Sequence, residues 1–214
     1  KVEEKSIVKS DTIYYRDYYT LSNENGKWKI LWTGSLLSFA REKYDGGNYS
    51  EARKTLEKII EISPFEGEAY FQLAWCFYRD RTLYRNEWEN GVVKNAKYAL
   101  TLEEDNYRHY VILGGYYQSI LNYDLAIQFY ERGLKYCLNK KDKTALYSNL
   151  ADVYMQMGKN EKAEECIKQY LEINDKNAYV WWRYGTLMRK QKKITEAIEY
   201  FEKALKYPEM ENAL

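Results

Sequence analysis

Histidine is scarce in this sequence, and the residue arrangements that most enzymes need are missing. His109 is the single histidine, which leaves little general-base capacity at neutral pH, and we expect it to be a solvated helix residue. Ser, His and Asp do not occur in an order typical of nucleophilic catalysis, and no glycine-rich phosphate loop is present. The sequence therefore predicts that the chain is not an enzyme and has no catalytic residue, cofactor or metal site.

Cysteines are few and long apolar runs are lacking. The three cysteines, Cys76, Cys137 and Cys166, have no spacing typical of metal binding or redox pairing. We expect them to be free thiols that pack as small apolar residues. No apolar run approaches the roughly 18 residues needed to span a bilayer, so no direct membrane insertion is predicted for this segment.

A strong net charge is also lacking, since the formal charge is +1. No overall field attracts nucleic acid or an anionic membrane. One basic cluster comprises Arg183, Arg189, Lys190, Lys192 and Lys193. Because Lys192 and Lys193 fall at a predicted inter-helix turn and no aromatic residues for base stacking are interleaved, we interpret this cluster as a solvated turn and predict no nucleic-acid partner.

Apolar residues at helical spacing are abundant, and the same pattern of them recurs roughly every 34 residues. Between Tyr107 and Lys140, two sets of apolar and small residues flank a break near Leu121 and Asn122, which predicts two amphipathic helices joined by a tight turn. The sets are Tyr110, Leu113, Gly114 and Tyr117, then Tyr123, Ala126, Tyr130, Gly133 and Leu134. A hairpin this short cannot bury its own apolar face, so it must stack on neighbouring copies.

The same order recurs along the chain. Residues 144–177 carry Tyr147, Leu150, Ala151, Tyr154, Gly158, Ala163, Ile167 and Leu171, and residues 178–211 carry Trp181, Tyr184, Gly185, Met188, Ala197, Phe201 and Leu205. Residues 33–66 carry Leu36, Phe39, Ala40, Gly47, Tyr49, Ala52, Leu56 and Pro64, and residues 67–106 carry Tyr70, Leu73, Ala74, Phe77 and Ala99. The block 67–106 is longer than the others, and its surplus is expected in residues 81–86.

These residues resemble the tetratricopeptide repeat (TPR), in which aromatic, Leu and small residues on a first helix precede Gly, Tyr, Ala and Phe on a second. The resemblance covers five copies: 33–66, 67–106, 107–140, 144–177 and 178–211. It implies an all-α fold, a right-handed solenoid of helix-turn-helix repeats forming a domain of residues 33–214. It also implies a non-enzymatic scaffold for protein–protein interaction.

Residues 1–32 follow a different, alternating period. Trp28, Ile30 and Trp32 lie on one side of a predicted strand, and the preceding Asn25-Gly26 favours a two-residue type I′ turn. A short N-terminal β-hairpin is predicted. Its register pairs Glu24 with Lys27, Leu21 with Ile30 and Tyr19 with Trp32. A further strand around Ile7 and Val8 would turn at Ser10-Asp11.

The run 25–32 is similar to the final strands of the cone-shaped α+β domains named after nuclear transport factor two, as found at the N-terminus of class B penicillin-binding proteins. This resemblance implies that residues 1–32 are the tail of a truncated domain and that the protein is extracytoplasmic. The alternative is a local strand cap on the helical repeats. Compartment stays open, because three free cysteines favour a reducing interior, cytoplasmic by default.

In TPR proteins the inner face of the first helices lines a concave groove that holds a peptide. Transferring that pattern residue by residue gives a predicted peptide-binding set of Phe71, Gln72, Trp75, Tyr78, Asn149, Asp152, Trp182, Arg183 and Arg189. One TPR subclass binds the C-terminal carboxylate of chaperones through Lys, Asn, Asn, Lys and Arg. Only Asn149 and Arg183 match that motif, so the resemblance does not imply a chaperone adaptor.

The predicted function is therefore binding of a protein or peptide segment in the groove. One alternative is a self-assembling structural module, with a homodimer formed through the C-terminal helix and weakened by Phe201→Glu. Another is an accessory segment of a larger extracytoplasmic multidomain protein. The first alternative follows from the last helix, whose apolar face we expect to lack a capping helix beyond Pro208.

Overall fold

The N-terminal part of the chain is a small antiparallel sheet. The structure is a computed structural model that describes residues 7–9, 12–14, 19–24, 27–32 and 34–207, the first four ranges by their backbone alone. The strands are β1 (Ile7–Lys9), β2 (Thr12–Tyr14), β3 (Tyr19–Glu24) and β4 (Lys27–Trp32), paired in that order. Helices follow from residue 34 onward.

The register of the last strand pair sets Glu24 opposite Lys27, Leu21 opposite Ile30 and Tyr19 opposite Trp32. These are the pairs that the alternation of the sequence indicates. The turn residues Asn25 and Gly26 lie outside the described residues, as do Ser10 and Asp11. The type I′ hairpin and the similarity to a truncated α+β domain therefore stay predictions.

Ten helices occupy the described residues from 34 to 207, and they follow the predicted repeats. They are α1 (Gly34–Asp45), α2 (Tyr49–Ile62), α3 (Gly67–Arg79), α4 (Arg85–Leu102), α5 (Tyr107–Ser119), α6 (Tyr123–Tyr136), α7 (Lys140–Gln156), α8 (Asn160–Ile173), α9 (Ala178–Lys190) and α10 (Ile194–Leu205). The chain divides into two compact units, residues 1–105 and 106–214. The predicted domain boundary before residue 33 and the handedness of the repeats stay predictions.

Asparagine side chains fix where many of these helices begin. Asn48, Asn106, Asn122, Asn139 and Asn177 accept hydrogen bonds from backbone N–H groups in the first turns of α2, α5, α6, α7 and α9, which satisfies donors that have no partner inside the helix. Asn139 also explains why α7 begins at Lys140, ahead of the predicted start at Thr144. Its side chain accepts from Asp142 N at 2.9 Å and donates to Asp142 Oδ2 at 2.8 Å.

In four repeats, the turn between the paired helices has a residue with left-handed backbone conformation at the equivalent position. Its φ is 76° at Gly47, 63° at Leu121, 71° at Gly158 and 63° at Lys192. In each case the next N–H donates to the carbonyl five residues back, for example from Asn122 N to Tyr117 O at 2.9 Å and from Lys193 N to Met188 O at 3.0 Å. This is the Schellman arrangement, which satisfies carbonyls at a helix end.

The second repeat lacks this turn, and its additional residues lie partly in the connection after α3 and partly in α4. The connection after α3 spans residues 80–84, which overlaps the expected segment 81–86, and α4 has 18 residues where the other second helices have 12 or 14. Asp80 holds the connection: it accepts from Thr82 N at 3.0 Å and from Thr82 Oγ1 at 2.6 Å, and it pairs with Arg53 Nη1 at 3.1 Å. The prediction of a longer connection therefore accounts for only part of the surplus.

Each unit has its own apolar core, and small residues let the paired helices approach closely. Leu56, Ile59 and Leu73 are central in the first unit. In the second, the Tyr130 ring lies against Gly114, and the Phe201 ring lies against Gly185, where an added Cβ would be 2.7 Å away. His109 is fully buried, so the expectation that it is a solvated residue is wrong. Helical spacing alone does not separate a buried from an exposed polar residue.

Gly114→Ala is expected to lower the free energy of unfolding by about 1–3 kcal/mol, because the added methyl would overlap a ring that has no room to move. That ring, Tyr130, is 1% exposed, and its hydroxyl donates to Gln118 Oε1 at 3.0 Å. The measurement is chemical denaturation followed by circular dichroism.

The matched control is Gly34→Ala, where an added Cβ meets nothing within 4 Å. This change should leave stability unchanged or raise it by up to ~1 kcal/mol, because alanine loses less backbone entropy than glycine. Equal effects at the two glycines would contradict the packing argument.

Candidate functional site

The first candidate surface is an aromatic face of α3, in the first unit. Phe71 is buried, and its ring meets Trp75 edge-on at 6.3 Å. Trp75 in turn meets Tyr78 edge-on at 5.4 Å, and both are half-buried. Gln72 is half-buried and donates to Glu68 Oε1 at 3.0 Å. The structure thus brings Phe71, Trp75 and Tyr78 together, with Phe71 as the buried base of the cluster.

Trp88, on α4, extends this aromatic face and was not predicted. Its ring stacks on Tyr78 at 6.0 Å, and its Nε1 donates to the Tyr78 carbonyl at 3.2 Å. Arg81 lies over both rings, 5.9 Å from that of Tyr78 and 6.0 Å from that of Trp88. Trp88 belongs to the surplus residues of the second repeat, for which the family pattern gives no position. The unusual length of that repeat was the one signal in the sequence.

The second candidate surface is formed by α7 and α9, in the second unit, and Arg183 is its centre. Arg183 Nη1 donates to the Ser148 carbonyl at 3.1 Å and to Ser148 Oγ at 2.6 Å. Arg183 Nη2 forms a short salt bridge with Asp152 and donates to the Tyr179 hydroxyl at 3.2 Å. The Asp152 and Arg183 side chains are 24% and 11% exposed. Two residues predicted separately as ligand contacts therefore bind each other.

Partial burial shapes the electrostatics of this pair. Desolvation raises the pKa of Asp152 above its ordinary value, although the Arg183 guanidinium acts in the opposite direction. The carboxylate thus depends on its guanidinium partner to stay charged in a half-buried place. Arg183 has few donors left for a ligand, and its main effect is to join α7 to α9.

An exposed aromatic pair lies beside Arg183 on α9. Tyr179 and Trp182 stack at 5.9 Å with an interplanar angle of 11°, and they are 52% and 40% exposed. The Arg183 guanidinium lies 4.3 Å from the Tyr179 ring centre. Hydrogen bonding to the hydroxyl and cation–π contact with the ring hold Tyr179 in place. Trp182 belongs to the predicted peptide-binding set, whereas Tyr179 does not.

Two further predicted residues retain polar groups for a partner. Asn149 is half-buried and Arg189 is exposed in the last turn of α9. Within residues 34–207, neither side chain makes a hydrogen bond or ion pair. The α7–α9 surface therefore combines a fixed aromatic pair with an amide and a cation that are available to a ligand.

The three cysteines are held as neutral thiols. Burial raises the pKa of Cys76 to about 12 and those of Cys137 and Cys166 to about 11, so little thiolate exists at neutral pH. Over the described ranges, no group of three or more His, Cys, Asp or Glu side chains is placed to hold a metal ion. None of the described helices has the length and apolar character needed to cross a membrane.

Comparison with known proteins identifies the family. Residues 37–99 and 148–211, more than half of the chain, match the sequence model of the family described as tetratricopeptide repeat. The chain therefore belongs to the tetratricopeptide repeat family, whose members mediate protein–protein interactions.

Two curated relatives share part of their sequence with this chain. The type IV pilus assembly protein PilF of Pseudomonas aeruginosa is 25% identical over 160 residues, which are 73% of this chain and 59% of that protein. The anaphase-promoting complex subunit CDC16 of Saccharomyces cerevisiae is 39% identical over 57 residues, 27% of this chain and 7% of that protein. The chain thus spans 59% of the first relative and a small part of the second.

Solved structures share the fold. Pseudomonas aeruginosa PilF superposes with a TM-score of 0.72 at 21% identity, covering 81% of this chain and 75% of that one. MamA superposes with a TM-score of 0.66 at 22% identity, covering 82% of this chain and 97% of MamA. A thermophilic TPR protein of Thermus thermophilus superposes with a TM-score of 0.64 at 19% identity, covering 82% of this chain and 91% of that protein. At these identities the likeness concerns the fold alone.

A double-mutant cycle is expected to show strong coupling between Arg183 and Asp152. Arg183→Met leaves a half-buried carboxylate without its cation, so combining it with Asp152→Asn should cost about 1–3 kcal/mol less than the sum of the single changes. The measurement is the free energy of unfolding by chemical denaturation.

The matched control pairs Asp152→Asn with Arg189→Met, because Arg189 forms no ion pair within residues 34–207. Those two changes should add to within ~0.5 kcal/mol. Additivity in both cycles would show that the salt bridge does not join α7 to α9 in solution.

Proposed function

We propose that this chain is a non-enzymatic interaction module that binds a peptide segment of a protein partner on the α7–α9 surface. The observation that carries the proposal is the exposed Tyr179–Trp182 pair, which is stacked at 5.9 Å and fixed by Arg183. Binding hot spots are enriched in Trp, Tyr and Arg. Aromatic side chains that are already ordered lose little conformational entropy on binding.

The neighbouring polar groups define the chemistry of the partner. The Asn149 amide can donate to and accept from a peptide backbone, and the exposed Arg189 guanidinium favours an acidic side chain. The aromatic pair favours an apolar, aromatic or proline side chain that lies flat on it. The best partner is therefore a peptide with an apolar anchor near an Asp or Glu.

The α3 face is proposed as a further contact surface, in the first unit. Trp75, Tyr78 and Trp88 are half-buried rather than covered, and their edge-on and stacked contacts fix their orientation. On this face the Arg81 guanidinium already lies over the Tyr78 and Trp88 rings, and the Gln72 amide donates to Glu68, so the remaining ring surface favours apolar or aromatic side chains. Trp75→Ala tests it separately, in the same binding assay.

Trp182→Ala is expected to weaken peptide binding by about 2 kcal/mol, roughly thirtyfold, because it removes half of the aromatic pair. The probes are short fluorescein-labelled peptides in which Trp, Leu or Pro is placed at varied spacing from Asp or Glu. Affinity is measured by fluorescence anisotropy with the full chain, and the tightest probe, for which micromolar affinity is expected, is carried forward.

The matched control is Tyr84→Ala, which removes an aromatic side chain that is 86% exposed and lies outside the α7–α9 surface. It should leave the affinity unchanged. Binding that survives both Trp182→Ala and Asn149→Ala, or that Tyr84→Ala weakens as much, would refute the assignment of this surface.

Self-association through α10 is a second candidate function, supported by the exposure of its apolar residues. Ile194, Ile198 and Leu205 are 55%, 54% and 61% exposed. The residues equivalent to Leu205 in earlier repeats, Leu134 and Leu171, pack against the core. A second copy of this chain could cover the α10 residues in the same way, since an exposed apolar patch favours association.

Leu205→Glu is expected to shift any concentration-dependent dimer to monomer, because a charge at a buried apolar contact costs several kcal/mol. Light scattering over a dilution series measures it, and Leu138→Glu, at a residue that is 99% exposed, is the control. Phe201→Glu is unsuitable, because the Phe201 ring packs on Gly185 inside the repeat. A chain that stays monomeric at all concentrations would exclude this function.

A further inference from the structure

A groove lies in the first unit, between α2 and α4, with α3 as its floor. Its volume is about 780 Å³, within the range of ligand pockets. Apolar and aromatic side chains form the floor and walls: Ile60, Tyr70, Leu73, Phe77 and Tyr98. Gly91 lines it too, and because an added Cβ there would overlap the Phe77 ring, its lack of a side chain allows that ring to lie where it does.

This groove is distinct from the aromatic face of α3. At about 100° per residue around a helix, Tyr70, Leu73 and Phe77 are centred roughly 130° away from Trp75 and Tyr78, and neither Trp75 nor Tyr78 lines the groove. A ligand in the groove therefore touches none of the residues assigned to peptide binding above. The two surfaces can be tested independently.

The rim of the groove is acidic. Glu57, Glu61 and Glu87 are exposed and line it, whereas Lys94 is the one basic residue among the lining side chains. Within residues 34–207, none of these carboxylates makes an ion pair or hydrogen bond. Three carboxylates around an apolar concavity are complementary to a cation carried on an aliphatic stem.

In the second unit, a tyrosine lies at the repeat position equivalent to Phe77. Tyr154 and Glu131 hold the repeat positions that Phe77 and Glu57 hold in the first unit. There the Tyr154 hydroxyl donates to Glu131 Oε1 at 3.4 Å. Phe77 has no hydroxyl, so the carboxylate of Glu57 lacks this intramolecular donor.

We propose that the groove between α2 and α4 binds a lysine- or arginine-bearing segment of a protein partner. The aliphatic part of the basic side chain lies on Phe77, Leu73 and Ile60, and its charged end meets the carboxylates of the rim. An acidic segment is repelled by the same carboxylates. The site thus differs in both place and charge preference from the α7–α9 surface.

The test is a titration of the full chain into a short fluorescein-labelled peptide of alternating leucine and lysine, followed by anisotropy. A peptide of the same length with glutamate in place of lysine is the comparison. Glu57→Gln, Glu61→Gln and Glu87→Gln combined should lower the affinity about tenfold, because each exposed ion pair contributes modestly. Phe77→Tyr should also weaken binding, since its hydroxyl would supply the missing donor to Glu57.

The matched control combines Glu42→Gln, Glu161→Gln and Glu165→Gln, which alters the net charge equally at exposed residues outside the groove. This variant should leave the affinity unchanged. The proposal is overturned if the lysine peptide does not bind, if the glutamate peptide binds equally well, or if the control variant weakens binding as much. It is also overturned if light scattering shows that a second copy occupies the groove and the triple variant dissociates it.

Discussion

Three of the five helical hairpins in residues 34–207 depend on close approach between an aromatic ring and a glycine. Gly114 receives the ring of Tyr130, Gly185 that of Phe201, and Gly91 that of Phe77. Because the ring replaces the missing side chain, the two helices of a hairpin pack tightly without a void. The other faces of these helices pack on neighbouring helices or carry the candidate surfaces.

Tyrosine extends the same packing to the surface. Tyr154 and Tyr184 bury their rings while their hydroxyls donate to Glu131 and Glu164, at 3.4 and 3.0 Å. Burial raises the pKa of Tyr154 to about 12 and that of Tyr184 still higher, so both hydroxyls stay protonated donors at neutral pH. These two residues thus combine a buried apolar ring with a polar hydroxyl. At the position equivalent to Tyr154 in the second repeat, Phe77 lines a groove rimmed by carboxylates.

The sequence predicted the repeats because each helix shows the 3.6-residue period and each turn has a characteristic break. The resemblance to the TPR family, rather than the period, assigned Trp182 to the binding face of α9, and that assignment stays a prediction. The sequence did not predict that Arg183 would bind Asp152, because a family pattern assigns side chains to a face without saying which of them pair. Trp88 was missed because the second repeat contains residues for which the pattern has no place. His109 was misjudged because periodicity does not report the burial of a single polar residue.

The left-handed turns distribute strain unevenly along the chain. Gly47 and Gly158 adopt positive φ at no steric cost, whereas Leu121 and Lys192 adopt it with a side chain present, which costs about 1 kcal/mol each. The Schellman hydrogen bonds impose this conformation whichever residue is there. The third and fifth hairpins therefore hold less of their stability locally and rely more on neighbouring repeats. Fraying and proteolytic nicking should begin at these two turns. A single glycine at either one would remove the steric cost and stabilise that hairpin.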